Sequence, residues 1–362
     1  MTRQAFHTAG IVGLGVIGAS LGMAIKNSCP DIRVWGKDKD ESMRSQALEM
    51  GVIDDWLDPE QLADCDLLIL CTPLEFMQDV LEDLLPQLRP GTVISDVGSV
   101  KGPVMKLFRD MLPGGIHYIG GHPLAGSEKG GLLAADAFLF ENAAYVLTPS
   151  DSCPHEVLAS LSELIKAIGA RVVIMSPREH DDLVARVSHV PHLIASVLMH
   201  QLQDEGDLSM AGGGLRDMTR IAASDVSLWT NILLFNQPAV LEALHNTQQH
   251  LESFIRALKQ QDKEELTFLL EQAGERRRQM PRSRACLDDA ADLVAIIPDR
   301  PGTLGLVTTI LGEAGINIHD IQIMSVRDED EGTIRITVAP EQAPKALLLL
   351  KSQGITAWAR MI

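Results

Sequence analysis

No CxxC pair occurs among the five cysteines (Cys29, Cys65, Cys71, Cys153 and Cys286), and none stands beside a plausible metal cluster. An odd count scattered along 362 residues suits reduced thiols and argues against a disulfide framework; no metal site is expected. No apolar run approaches the roughly 18 residues that a membrane span needs. MTRQAFHTAG leads directly into a strand pattern, so a cytoplasmic protein without a membrane partner is expected. Positive charge is also scarce, 31 Lys and Arg against 49 Asp and Glu, which leaves a net charge of −18. A nucleic-acid backbone would be repelled and is not expected as a partner, whereas small anions respond to local fields.

What is present fits a soluble globular protein, 46% hydrophobic and 22% charged, too long for one hydrophobic core. From residue 8 to about 176, apolar runs (AGIVGLG, IRVWG, LLILCTP, TVISDVGS, YVLTPS, RVVIMS) alternate with amphipathic segments. This predicts an α/β fold of Rossmann type, a doubly wound parallel sheet over residues 1–176. SPRE then offers Ser176 as N-cap, Pro177 at the first helical position and Glu179 to close a capping box. No strand pattern follows until about residue 280, so residues 177–285 are expected to form an all-helical substrate and dimerisation domain. Within it Leu244, Leu251 and Leu258 stand seven apart, with Leu241 and Ile255 in neighbouring positions. Such a stripe buries against other helices, in an intrachain bundle or, the reading adopted here, in a homodimer. The basic GERRRQMPRSRACLDD, 274–289, reads as a linker. Residues 290–362 show strand, helix, strand, strand, helix, strand, a ferredoxin-like βαββαβ unit.

Gly13, Gly15 and Gly18 follow an apolar strand and open a helix, the arrangement that brings a pyrophosphate to a helix N-terminus. Asp38, twenty residues past Gly18, ends the next strand, where an acid can accept the ribose 2′-hydroxyl and repel a 2′-phosphate. NAD is therefore the expected cofactor, although Lys37 and Lys39 flank that acid. Leu14, Val16 and Ile17 of the turn, with Thr72 and Pro73 of LLILCTP, complete the expected cofactor contacts.

GGHPLAGSEKGG, 120–131, follows the short apolar run HYI. His122 is thus expected in a mobile loop just past a strand end, where ligands of open α/β sheets bind. In ARVSHVPHLIAS, Pro191 should kink or break a helix beside Ser188 and His192, which share a face. In GGGLRDMTRIAASDVSLW, Arg216 and Arg220 share a helix face after three glycines. Imidazoles, hydroxyls and a guanidinium fork together suit a small polycarboxylate.

These motifs (GLGVIGASL, DVGSVK, GGHPLAGSEKGG, SHVPH and GGGLRDMTRIAASDVSLW, in this order) resemble the prephenate and arogenate dehydrogenases of tyrosine biosynthesis. The C-terminal segment resembles an ACT domain, which only some members carry. The resemblance implies NAD-dependent oxidative decarboxylation of prephenate to 4-hydroxyphenylpyruvate, with arogenate the alternative substrate. It implies that His122 is the catalytic histidine on the ring 4-hydroxyl and that Ser99 lies near it. Ser127 and Glu128 would line the substrate side, Glu128 either as a gate or in a loop salt bridge. Ser188 and His192 would place the substrate, Arg220 would bind a carboxylate, Asp217 would support Arg220, and Trp229 would close the pocket. In the ACT segment Asp299, Arg300, Gly302, Thr303, Asn317 and Ile318 would contact an amino acid, with tyrosine as the expected effector, unless the module only cements a dimer. A 3-hydroxyacid dehydrogenase would place a lysine on a helix of the second domain, and SHVPH has none. A non-catalytic amino-acid sensor would need a broken site, and each expected polar residue is present.

Overall fold

The computed structural model describes residues 6–126, 130–150, 152–202, 208, 210–280, 291–298, 300–327 and 331–361. The chain divides into two compact units, Met1–Ser253 and Phe254–Ile362.

The first unit is built on an eight-stranded sheet. Its strands are β1 (Thr8–Val12), β2 (Arg33–Lys37), β3 (Asp55–Trp56), β4 (Leu67–Leu70), β5 (Val93–Asp96), β6 (His117–Pro123), β7 (Ala144–Pro149) and β8 (Arg171–Ile174), in spatial order 3-2-1-4-5-6-7-8. All four residues of β4 and of β5 are buried, as strands covered on both faces require; β4 reads as an unbroken apolar run for this reason, while β5 ends on the buried polar pair Ser95 and Asp96. Only the β6–β7 pair is antiparallel among the pairings of this sheet. That reversal joins β8 to the sheet's far edge while His122 stands opposite Val146.

The helical part begins where the capping box predicts. Glu179 N–H donates to Ser176 Oγ at 3.2 Å, and Ser176 N–H donates back to Glu179 Oε2 at 2.8 Å. Helix Pro177–Val184 passes into a π-turn, Ala185–His189, and then helix Val190–His200. The sequence suggests a kink or break at Pro191; the chain does not break there but stays helical through a π-turn. Val190 N–H reaches back five residues to the Ala185 carbonyl, and the wider turn absorbs the donor that Pro191 lacks. Further helices cover Gly213–Thr219, Val226–Phe235, Gln237–Gln260 and Lys263–Gln279. The last of these corrects the linker reading over 274–279: Arg276, Arg277 and Arg278 sit in its final turn, where cations favour the helix dipole. Among the described residues no helix is long and apolar enough to cross a membrane.

In the second unit β9 (Ala291–Pro298), β10 (Asp320–Arg327), β11 (Glu331–Val338) and β12 (Thr356–Met361) form an antiparallel sheet in order 10-11-9-12. Helices Thr303–Glu313 and Ala343–Ser352 bury Val307, Leu311, Ala346 and Leu350 against Leu293, Ala295, Ile334 and Ile336.

Candidate active site

The glycine turn after β1 is built for close approach. Gly13 has φ +97, and a Cβ there would lie 2.7 Å from the Cys71 carbonyl oxygen; one on Gly18 would lie 2.0 Å from the Gly13 carbonyl oxygen. At Gly15, by contrast, a Cβ would project into open space, so this is the face on which a phosphate can approach backbone N–H groups. Asp38 accepts Leu14 N–H at 2.7 Å through one carboxylate oxygen and Asp40 N–H at 3.0 Å through the other. A carboxylate has about four acceptor sites, so two remain for ribose hydroxyls. The Thr72 hydroxyl, at the end of β4, is buried without a hydrogen-bond partner. A polar atom orphaned beside the glycine turn is what a nucleotide site shows when described without its nucleotide. The residues present therefore fit a dinucleotide.

His122 is not in a mobile loop. It lies within β6, paired to Val146, and the glycines before it serve the strand. A Cβ on Gly121 would sit 2.3 Å from the Asp96 carbonyl oxygen, and one on Gly120 would sit 2.3 Å from Thr148 Oγ1. Tight neighbours, rather than a need for mobility, account for the glycines.

Behind this strand lies a buried ion pair. Lys101 and Asp96 are both fully buried and joined through Lys101 Nζ and Asp96 Oδ1. Lys101 Nζ also donates to the Gly121 carbonyl at 2.6 Å. Tyr118, stacked on Phe108 at 3.7 Å, donates its hydroxyl to the other Asp96 oxygen, and Gly98 N–H donates to Asp96 Oδ1 at 2.6 Å. Burial pulls the Lys101 ammonium below its ordinary range while Asp96 opposes that pull. Burial and Asp96 together hold the Tyr118 phenol well above its usual range, so it stays a donor.

In front, His122 Nδ1 lies 2.8 Å from His180 Nε2, and His180 Nδ1 lies 2.8 Å from Asp181 Oδ1. The Asp181 carboxylate accepts Lys101 N–H and Gly102 N–H, each at 2.7 Å, at the start of helix Gly102–Met111. Asn236 Nδ2 donates to the Asp181 carbonyl at 2.9 Å and lies 3.2 Å from His189 Nδ1. His189 meets the edge of Trp229, and His192 stacks on Trp229 at 3.7 Å with 11° between the planes. Burial first, then the neighbouring His180, Lys101 and His189, holds His122 well below the ordinary histidine range. Burial likewise lowers His189, to about 4, and His192. His122, His189 and His192 are therefore neutral at pH 7.

Of the residues expected from sequence, His122, His192 and Trp229 thus meet in one connected network. Ser99 is half-buried just past β5 but makes no bond to His122 among the described residues. Ser188 lies half-buried in the π-turn. Asp217 and Arg220 are exposed, and helix Gly213–Thr219 stops before Arg220, which opens a 3-10 turn that packs on helix Val190–His200. Arg216 is turned to the Ala211 carbonyl at 3.1 Å. Ser127, Glu128 and Asp299 lie outside the described residues. In the second unit Gly302, with φ +90, starts helix Thr303–Glu313 beside exposed Arg300, while Asn317 is exposed and Ile318 packs on the core. His180, Asp181, Lys101 and Asp96 were not anticipated; the HD pair just after the SPRE cap was the available signal.

Three family models match in succession: the prephenate dehydrogenase nucleotide-binding domain over 21–174, its dimerization domain over 176–272 and the ACT domain over 292–353. A prephenate dehydrogenase of Bacillus subtilis is 35% identical, over 92% of this chain and 93% of its own length. Among solved structures, an arogenate dehydrogenase of Synechocystis is 32% identical with TM-score 0.69, covering 76% of this chain and 100% of its own. A prephenate dehydrogenase of Aquifex aeolicus, solved with hydroxyphenyl propionate and NAD+, is 29% identical with TM-score 0.70, covering 78% and 99%. With a nucleotide-binding sheet, a helical domain and a C-terminal ACT domain in the family's order, this chain belongs to the prephenate dehydrogenase family.

Proposed function

We propose that the enzyme oxidises and decarboxylates prephenate to 4-hydroxyphenylpyruvate with NAD, and that His122 is its catalytic base. The observation that carries this reading is a histidine on a strand of the nucleotide-binding sheet, held below the ordinary histidine range first by burial and then by its neighbours, the Lys101 ammonium among them, and so ready to take a proton at physiological pH. NAD, when bound, supplies the acceptor for the hydride that leaves C4 of the substrate ring. The His122 imidazole accepts the 4-hydroxyl proton as that C–H bond breaks. Loss of CO2 then aromatises the ring, and His122 returns its proton to the phenolate oxygen, so the imidazole ends the cycle neutral. Lys101, through the Gly121 carbonyl, holds the strand that carries His122. His192, flat against Trp229 and with its buried Nδ1 unpartnered, offers a polar contact to the substrate together with Ser188. Arg220 supplies a guanidinium fork to a carboxylate, with Asp217 as its proposed support; contacts from Ser127 and Glu128 would fall outside the described residues. Ser99 faces the nicotinamide end.

Asp38 favours NAD over NADP, because a 2′-phosphate would meet its charge. A homodimer is the second part of the reading: Leu241, Leu251 and Leu258 are each more than half exposed and Ile255 is close to it, an apolar stripe that a second copy would cover. Tyrosine, the product of the pathway, is the proposed effector, held by backbone groups near Gly302 and Thr303 and by Arg300, Asn317 and Ile318. The test is NADH formation with prephenate and with arogenate, each with and without tyrosine. Faster turnover of arogenate would replace the substrate, and inhibition by tyrosine that prephenate fully relieves would move tyrosine from the ACT domain to the active site.

A further inference from the structure

We propose that His180, anchored by Asp181, is a positioning residue that fixes His122 in the tautomer with Nδ1 protonated and Nε2 free to accept the substrate proton. The inference rests on the proposed role of His122. Each Asp181 oxygen already accepts a backbone N–H, from Lys101 and from Gly102, at 2.7 Å, the surroundings that suit an ionised carboxylate. A carboxylate only accepts, so His180 Nδ1 must donate to it at 2.8 Å. His180 is fully buried, so no water competes for either ring nitrogen. In the proposed arrangement that one proton is all the ring carries, so Nε2 is left as an acceptor, and the group that meets it, at 2.8 Å, is His122 Nδ1. His122 Nδ1–H therefore donates, and its lone pair stands on Nε2. Which nitrogen of an imidazole carries the proton is set by the bond that the other makes.

The remaining groups around His122 do not undo this order. Lys101 is committed to Asp96 and the Gly121 carbonyl, and His189 to Asn236. Ser99 makes no bond to the ring among the described residues. The acceptor that orients His122 thus comes from the helical part of the chain, 58 residues away in sequence. The anchor works in both halves of the catalytic cycle: when Nε2 gains the substrate proton, the imidazolium still donates through Nδ1 to His180.

The test is ring-nitrogen NMR on histidine-labelled full-length enzyme, with the His122 signals assigned by their loss in His122→Asn. The expected result is a protonated Nδ1 and an unprotonated Nε2. His180→Phe, which keeps a ring but removes the acceptor, should bring up the Nε2–H tautomer and lower kcat by about 10- to 100-fold. KM for prephenate should stay within about twofold. His180→Gln, whose amide oxygen can accept from Nδ1–H, should recover most of that loss. Should His180→Phe fail to fold, judged by its melting temperature and NAD binding, the wild-type spectrum and His180→Gln still decide. A wild-type Nε2–H tautomer, or wild-type kcat in His180→Phe, would overturn the proposal. Wild-type enzyme that shows the Nδ1–H tautomer but does not turn over prephenate would support the anchor while striking the substrate reading instead.

Discussion

The surroundings of His122 and the segment that carries Arg220 belong to one unit but are built in opposite ways. Around His122, Asp96, Lys101, His180 and Asp181 are buried and bonded to one another and to backbone groups. Around Arg220, three glycines lead a helix of less than two turns, Asp217 and Arg220 are exposed, and Met218 is 61% exposed. The difference suits the roles proposed for the two residues. A group that moves a proton gains from fixed geometry and a fixed protonation state, whereas a group that receives a carboxylate from solvent must stay reachable. Damage to the first region should therefore appear in stability and kcat, and damage to the second in KM.

The sharpest way to break that contrast is Lys101→Met. It leaves the Asp96 carboxylate buried and unpaired, a change that costs about 3–5 kcal/mol. Urea unfolding should show a loss of this size, and a loss below about 1 kcal/mol would mean that the ion pair is not what holds the strand. Next in size is Arg220→Gln. A charge-assisted hydrogen bond contributes about 1.5–3 kcal/mol, so kcat/KM for prephenate should fall roughly 10- to 150-fold, chiefly through KM. Loss confined to kcat would merge the two regions that the structure separates. Asp38→Ser, outside both, removes one acceptor and one repelling charge. It should cut the NAD-to-NADP preference about 2- to 10-fold in initial-rate assays, and an unchanged preference would take Asp38 out of cofactor selection.

The smallest effect at its onset is acid sensitivity. His122, His189 and His192 are neutral in the fold with lowered pKa values, while the unfolded chain takes up their protons near pH 6.5. Below that pH the unfolded state binds more protons, so stability present above pH 6.5 is lost as pH falls toward about 4, the value for His189. A melting temperature that stays flat from pH 7 to pH 4.5 would contradict the burial of these imidazoles.

Much of the first region's framework could be read from sequence because it is local. The strand runs, the glycine turn and the Ser176 capping box each declare themselves within a few residues. His180 and Asp181 could not be read this way. Asp181 reaches Lys101 across 80 residues and His180 reaches His122 across 58, and neither distance leaves a periodic trace. The misplacement of His122 has a different cause. Paired glycines before a histidine read as a loop, and only the neighbouring Asp96 carbonyl and Thr148 hydroxyl reveal a crowded strand. At Pro191 the local rule leaves open what a π-turn resolves: the helix continues through a wider turn just before the proline.

A neutral, strand-held His122 is proposed as the base of an NAD-dependent prephenate dehydrogenase. Steady-state NADH formation by His122→Asn, beside wild-type enzyme with prephenate, tests it most directly. The expected result is a fall in kcat on the order of 10²–10⁴ with KM little changed, whereas wild-type kcat in that variant would remove His122 from the proton transfer.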